Sequence, residues 1–485
     1  MKADRRSRRD MLGFGGAAVA GAALAACGAT PTPQVVERVV TAVVKETVVV
    51  KETVVQTEVE TVEVEKVVKE TVIVEPTASY EQGDLTILLC CSGPDQLAVR
   101  DQFNLRFMEK YLGVKVVQEP MPAGQNYFEK LQTVIAAGTA PDLYDMWEGY
   151  VQPYAKNGAL LDLEPFFESD PLLKKSDLWE WTLPVISWED KVYSLPQEVV
   201  PGPVGFFYNI DTFDAAGEPY PNPDWNWDNL RDTAKRLTVM SGDVPQTYGW
   251  VFDLWFVPWL HWIWTNGGDA FNADETKCAL TDTPAVEAIQ YFADMVAKDQ
   301  SAPTSSTLTT MQGSVNMFNT QQVAMYWGNA WDIGSLKAAR EQGLNWGSAM
   351  PPKGLTGIRS FYEHSGTWGI WPGSKKHNLG WLYCRDFVME VELNSKLREF
   401  GWAIPAVKAL LATALTAEAV ELGWTGVVDS LSDPKFMKYP GSGDKWDKIS
   451  GLIQAELDLV FTGEQTAEQA AVTACAKVDE ELART

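Results

Sequence analysis

The chain has 485 residues, 46% of them hydrophobic, and a formal net charge of −25. That length leaves room for two or three domains with substantial cores, while the acidic excess argues against nucleic acid and against charge-driven adhesion to anionic lipid. Twenty tryptophans are about double what a chain of this size ordinarily carries, so flat aromatic faces are a resource here.

At the start of the chain, Arg5, Arg6, Arg8 and Arg9 precede a small and apolar run from Gly13 to Ala26. The run is too short to span hydrocarbon, which takes about 20 apolar residues. Ser7-Arg8-Arg9-Asp10-Met11-Leu12 resembles the twin-arginine export motif, and Leu24-Ala25-Ala26-Cys27 resembles the lipobox of bacterial lipoproteins. The resemblance implies that residues 1–26 are a signal peptide cleaved before Cys27 and that a diacylglyceryl group is attached to the Cys27 sulfur. The chain is then anchored to the outer face of the cytoplasmic membrane rather than spanning it. An ordinary signal peptide followed by a chance cysteine is the alternative. No later stretch is apolar for long enough to span.

Residues 27–82 are expected to carry the lipid anchor and a stalk. From Gln34 to Pro76 the composition is almost wholly Val, Thr, Glu and Lys, with no aromatic residue and no glycine. Neither a heptad nor strict alternation persists through it. It reads as a spacer reaching about 140 Å if extended, with a trimeric coiled coil as the sharper alternative.

Beyond Cys27 the cysteines are Cys90, Cys91, Cys278, Cys384 and Cys475. Their number is odd, and neighbours such as Cys90 and Cys91 bridge only with strain. No disulfide framework is therefore expected; Cys90 and Cys91 read as small residues at a strand end, and pairing among the other three stays open. The spacings fit no zinc-ligand pattern and the histidines number three, so neither a metal site nor a resident cofactor is expected.

The folded body is expected to start with a buried strand at Leu85–Leu89. A helix from Gln96 to Tyr111, a strand Val114–Val117, a helix from Asn126 to Ala137 and a strand Leu143–Met146 follow. Such alternation predicts an α/β fold with a parallel, doubly wound sheet. Ligands of such sheets lie beyond the carboxyl ends of the strands, which places Ser92 to Asp95 and Trp147 to Gly149 at a binding edge. Further on, Trp225, Trp227, Trp250, Trp255, Trp259, Trp262 and Trp264 crowd into forty residues. If Val251–Trp264 is helical, Trp255, Trp259 and Trp262 share a face; core packing is the plain alternative for each. Asn266-Gly267-Gly268-Asp269 reads as a turn, and Thr283 to Lys298 as an amphipathic helix opened by Thr-Pro.

Five segments then resemble the extracellular solute-binding proteins of sugar-importing ABC transporters, the maltose-binding-protein-like group. They are Leu131 to Asp142, Gly205-Phe206-Phe207-Tyr208-Asn209, Trp264 to Asp269 with its following helix, Val323-Ala324-Met325 leading to Trp331, and Gly463 to Leu482. The resemblance departs from the common pattern at Ala215, where a charged or amide residue is usual. It implies a two-lobed periplasmic-binding-protein-like fold (type II) whose doubly wound sheets are joined by hinge strands, crossing near Gln197 to Val204, Pro351 to Tyr362 and Phe400 to Ile404. One lobe would comprise residues 83–200 with 355–400, the other 201–354 with 401–485. It also implies a monomer that shuts over a mono- or oligosaccharide and delivers it to the permease subunits of an ABC importer without breaking a bond.

A pyranose offers apolar C–H faces and a rim of hydroxyls, so its site wants indole faces beside carboxylates and amides. Trp147 with Asp145 and Glu148 fits that recipe at a strand end. The family's positions map onto Trp331 and Trp446; Trp255, Trp259, Trp327, Asn329, Trp368 and Asp95 complete the candidate ligand-binding set, with His364 beside Glu363 read as a hydrogen-bonded structural residue. No dense cluster of Arg and Lys lies near these residues, which leans toward a neutral solute, although Lys353 and Arg359 near a hinge leave room for an anion. The rival reading is an exported glycan-active hydrolase using a carboxylate pair, and a structural surface lipoprotein built around the stalk is a third. No Gly-x-Ser-x-Gly, His-Glu-x-x-His or phosphate loop occurs.

Overall fold

The computed structural model describes residues 80–484 apart from 122–126, 203–204, 400–403, 415–418, 420, 422–436 and 440–444. The expectations for the leader, Cys27 and the Val/Thr/Glu/Lys tract fall on residues 1–79, outside the described ones.

Two lobes are each built on a five-stranded sheet. In the first, the order is Val114–Met121, Gly83–Cys90, Leu143–Trp147, Gly366–Ile370, Ser194–Pro196. The first three strands are mutually parallel and Gly366–Ile370 runs antiparallel to both its neighbours. Leu85, Ile87 and Leu89 face one side of the sheet and Leu88 and Cys90 the other, and both faces are covered, which is why this strand reads as an unbroken apolar run. The helices Pro94–Lys110 and Tyr127–Ala136 complete the alternation expected from the sequence.

The second lobe orders its sheet Trp346–Ala349, Gly205–Asn209, Val323–Gly328, Val244–Val251, Val239–Ser241. Its core absorbs most of the tryptophan-rich segment: Trp225, Trp227, Trp250, Trp259, Trp262 and Trp264 are all buried there. The segment is a strand through Val251 and then a helix from Phe256 to Thr265, so Trp255 lies at the helix's N-cap and does not share the face of Trp259 and Trp262.

A third sheet, Ile404–Pro405, Glu198–Gly202, Phe361–His364, Met437–Lys438, joins the lobes. The chain passes from Ser194–Pro196 of the first lobe through Glu198–Gly202 into Gly205–Asn209 of the second, and Phe361–His364 leads directly into Gly366–Ile370 of the first. Just past Ile404, Ala406 and Val407 lie in the core of the first lobe.

The cysteine reading needs correction. Cys90 is bonded to Cys91, and Cys278 to Cys475, leaving Cys384 as a buried free thiol among the described residues. The backbone at Cys91 takes a left-handed φ of 65°, a turn that adjacency alone does not reveal. Cys278 is 197 residues from Cys475 in sequence, yet their Cα atoms stand 5.1 Å apart, because the helix Ala467–Leu482 packs into the second lobe's core.

Candidate functional site

The joining sheet presents its residues to both lobes. Side chains alternate along Phe361–His364, so Tyr362 and His364 share one face. Tyr362 is fully buried, and its ring covers its cross-strand partner Gly202. A Cβ at Gly202 would come within 2.4 Å of that ring, so a glycine is needed for the two crossing strands to pair with the tyrosine between them. The Tyr362 hydroxyl donates to Asn329 Oδ1 at 2.5 Å, and Asn329 Nδ2 donates to Asp253 Oδ2 at 3.3 Å.

His364 is the centre of the site. Its Nδ1 lies 2.8 Å from Glu148 Oε1. Around its ring stand Trp331, Trp255, Trp147 and Tyr362, with centroid separations of 5.3, 6.2, 6.4 and 6.5 Å. The first lobe supplies Trp147 and Glu148 from the carboxyl end of Leu143–Trp147 and the first turn of helix Glu148–Lys156. The second supplies Trp331 from a single turn, Ala330–Asp332, just past strand Val323–Gly328, and Trp255 from the start of helix Phe256–Thr265. Trp331 and Trp255 remain 40% and 36% exposed, so their faces are open to a solute.

Carboxylates dominate the electrostatics. Burial pushes Glu363 up to about 8, and the charge of Glu148 adds to the push. Burial, then the charge of Asp253, lifts Asp332 to about 7, although the Tyr326 hydroxyl and the Asn329 backbone N–H both donate to Asp332 Oδ2, at 2.5 and 2.9 Å. For His364, burial works against protonation, but Glu148, Glu363 and Glu198 outweigh it and the imidazole is held above its ordinary range. Among the described residues, Glu148 Oε2 and Glu363 Oε2 are buried without a hydrogen-bond partner.

The remaining candidates do not stand around the His364 ring. Asp145 is buried in a structural relay: Arg100 Nη2 donates to Gln197 Oε1 at 2.8 Å, Gln197 Nε2 donates to Asp145 Oδ1 at 2.6 Å, and the Cys90 N–H donates to Asp145 Oδ2 at 2.7 Å. Trp368 is fully buried in the first lobe, with the Arg100 guanidinium 5.2 Å from its ring and Tyr383 and Phe387 edge-on. Trp259 and Trp327 are fully buried in the second lobe's core. None of these three indoles offers a face to a solute, because each fills a core position instead of ending a strand or helix. Asn329 is buried between Tyr362 and Asp253, Trp446 is buried against Gly149, and Asp95 is exposed in the first turn of helix Pro94–Lys110. Arg359 donates to the carbonyls of Pro351 and Pro223, and Lys353 lies 3.5 Å from Asp224, so the cations near the hinge have protein acceptors of their own. A groove of about 400 Å3, lined by Tyr150, Tyr154, Lys445 and Lys448 among others, includes none of the residues around His364; we place the site at His364, where both lobes and the joining sheet converge. Sequence reasoning missed the central place of this histidine. Its one signal was position, since Glu363-His364 follows the stretch where a crossing was expected.

The description "Bacterial extracellular solute-binding protein" matches residues 94–386. A maltotriose-binding protein of Pyrococcus abyssi is 22% identical over 374 residues, 74% of each chain. Among solved structures, an ABC substrate-binding protein of Listeria monocytogenes in complex with cycloalternan superposes with a TM-score of 0.75 at 23% identity, covering 84% of this chain and 100% of that one. An ABC transporter solute-binding protein of Thermotoga lettingae bound with alpha-D-tagatose gives 0.70 at 21% identity, covering 82% and 99%. Two lobes, a joining sheet and a family match over most of the folded body lead to one assignment: the chain belongs to the bacterial extracellular solute-binding protein family.

Proposed function

We propose that this protein captures a carbohydrate between its lobes outside the cytoplasmic membrane and hands it to the permease of an ABC importer, binding and releasing it without cleavage. The observation that carries the reading is the convergence of Trp147 from one lobe with Trp255 and Trp331 from the other on a single carboxylate-bonded histidine. Indoles that approach from both lobes can clasp the two apolar faces of a sugar ring, and the acidic groups beside them can accept from its hydroxyls. Closure follows because a ligand that touches both lobes favours the state in which they are together. The names of the similar proteins, which bind maltotriose, cycloalternan and tagatose, point the same way. A diacylglyceryl group on Cys27 and a stalk would hold the receptor at high effective concentration near its permease.

The test is a thermal-shift screen of the folded body against mono- and oligosaccharides, followed by calorimetry and product analysis. A ligand at 100 times its dissociation constant adds about 2.7 kcal/mol to the native state. A stabilising sugar recovered intact supports the reading, and a sugar returned as cleavage products defeats it in favour of a hydrolase.

A further inference from the structure

We propose that the saccharide this cleft is built for carries a protonated amine, and that Glu148, with Glu363 behind it, receives the ammonium group between the indoles of Trp147, Trp255 and Trp331. The proposal rests on the carbohydrate reading and narrows it.

The argument begins with an imbalance between donors and acceptors. The hydroxyl and amide donors of the site are already engaged: Tyr362 with Asn329, Asn329 with Asp253, Tyr326 with Asp332, and Ser365 with Glu363. The atom left over is an acceptor: Glu148 is 7% exposed and keeps its Oε2 buried with no hydrogen-bond partner among the described residues. A buried carboxylate with an open lone pair is expensive unless something completes it. A hydroxyl brings an acceptor of its own that needs a donor in return, and beyond the indole N–H groups and the His364 imidazole the site has few. An ammonium brings three donors and no acceptor, which is the inventory this site lacks.

Charge and aromatic geometry agree. Among the described residues, the charged groups acting on Glu363 and Tyr362 are Glu148, Asp253, Asp332 and His364, with no lysine or arginine among them. Indoles converging from both lobes are the surroundings in which a cation gains from ring quadrupoles. Glu363, lifted by burial to about 8, holds a proton at neutral pH, so an arriving ammonium would expel that proton.

The experiment compares matched pairs by calorimetry at pH 7: glucosamine with glucose, galactosamine with galactose, mannosamine with mannose, and β-1,4-linked glucosamine trimer with the glucose trimer of the same linkage. At least one aminated member should bind tenfold or more tighter than its hydroxyl counterpart. Titrations in buffers of different ionisation enthalpy should show proton release for that member and none for its counterpart, and Glu148→Gln, checked for folding by thermal melt, should narrow the ratio. Equal or tighter binding of the hydroxyl member in every pair overturns the proposal and leaves the carbohydrate reading standing. Failure of every saccharide, including neutral maltotriose and tagatose, overturns both.

Discussion

Trp446, which opens a helix of the second lobe, lies directly against Gly149 of the first: a Cβ on Gly149 would come within 1.9 Å of the indole Nε1. Gly149 follows Glu148 in the same helix, so this close approach lies one residue from the carboxylate that holds His364. A contact that needs a bare backbone on one side is sensitive to how closely the lobes approach.

Gly149→Val should therefore hold the lobes apart. The expected result is an affinity lower by about tenfold, equivalent to about 1.4 kcal/mol, and small-angle scattering that reports a more open particle in saturating ligand. Unchanged affinity and shape would mean that Trp446 simply swings aside and takes no part in closure.

Trp331 and Trp368 make a discriminating pair. Trp331 is 40% exposed and Trp368 fully buried. Trp331→Ala should leave the melting temperature nearly unchanged while weakening ligand by about 2 kcal/mol or more, as for an aromatic anchor. Trp368→Ala removes a core indole beneath Arg100 and should lower stability by about 3–5 kcal/mol. The reverse pattern in urea melts and calorimetry would exchange their roles.

That contrast also shows what could be seen in the sequence. The strands Gly83–Cys90 and Leu143–Trp147 and the helices between them were legible, because apolar runs and helical spacing record burial within a single element. Which indole meets solvent was not. Trp255 and Trp259 stand four apart in one apolar stretch, yet only Trp259 lies inside the helix and in the core. The site itself was harder still to see, because His364 draws its neighbours from positions 147, 148, 255 and 331. Local periodicity cannot carry pairings over such separations.

The bond between Cys278 and Cys475 closes a loop of 197 residues and ties the C-terminal helix to the second lobe. Restricting the unfolded chain over so long a loop stabilises the native state, with about 2–5 kcal/mol the usual loss when such a link is removed. The Cys278→Ser/Cys475→Ser variant should show that loss in urea melts, and thiol reductant should shift the wild type but not the variant. If reductant moves both equally, the effect belongs to Cys90 and Cys91 instead.

Between pH 6.5 and 8 the ligand-free protein should lose stability as pH rises. Glu363, lifted from 4.5 to about 8 by burial and then by Glu148, keeps its proton in the folded state over a range where the unfolded chain has released it. His364 is also held above its ordinary 6.5, burial notwithstanding, by Glu148, Glu363 and Glu198. Groups raised on folding contribute stability that is complete below their unfolded values and lost as pH climbs through their folded ones. His261 works the other way, since burial holds it neutral down to about 3, but its effect ends above 6.5 and leaves the alkaline window clear. One such proton corresponds to a slope of at most about 1.4 kcal/mol per pH unit. Glu363→Gln keeps a polar side chain of the same shape but cannot ionise, so its stability curve should be flatter than the wild type's across this window. Parallel curves in urea melts at pH 6.5, 7.25 and 8 would show that Glu363 does not titrate there, and the proton release expected on binding an ammonium would then need another source.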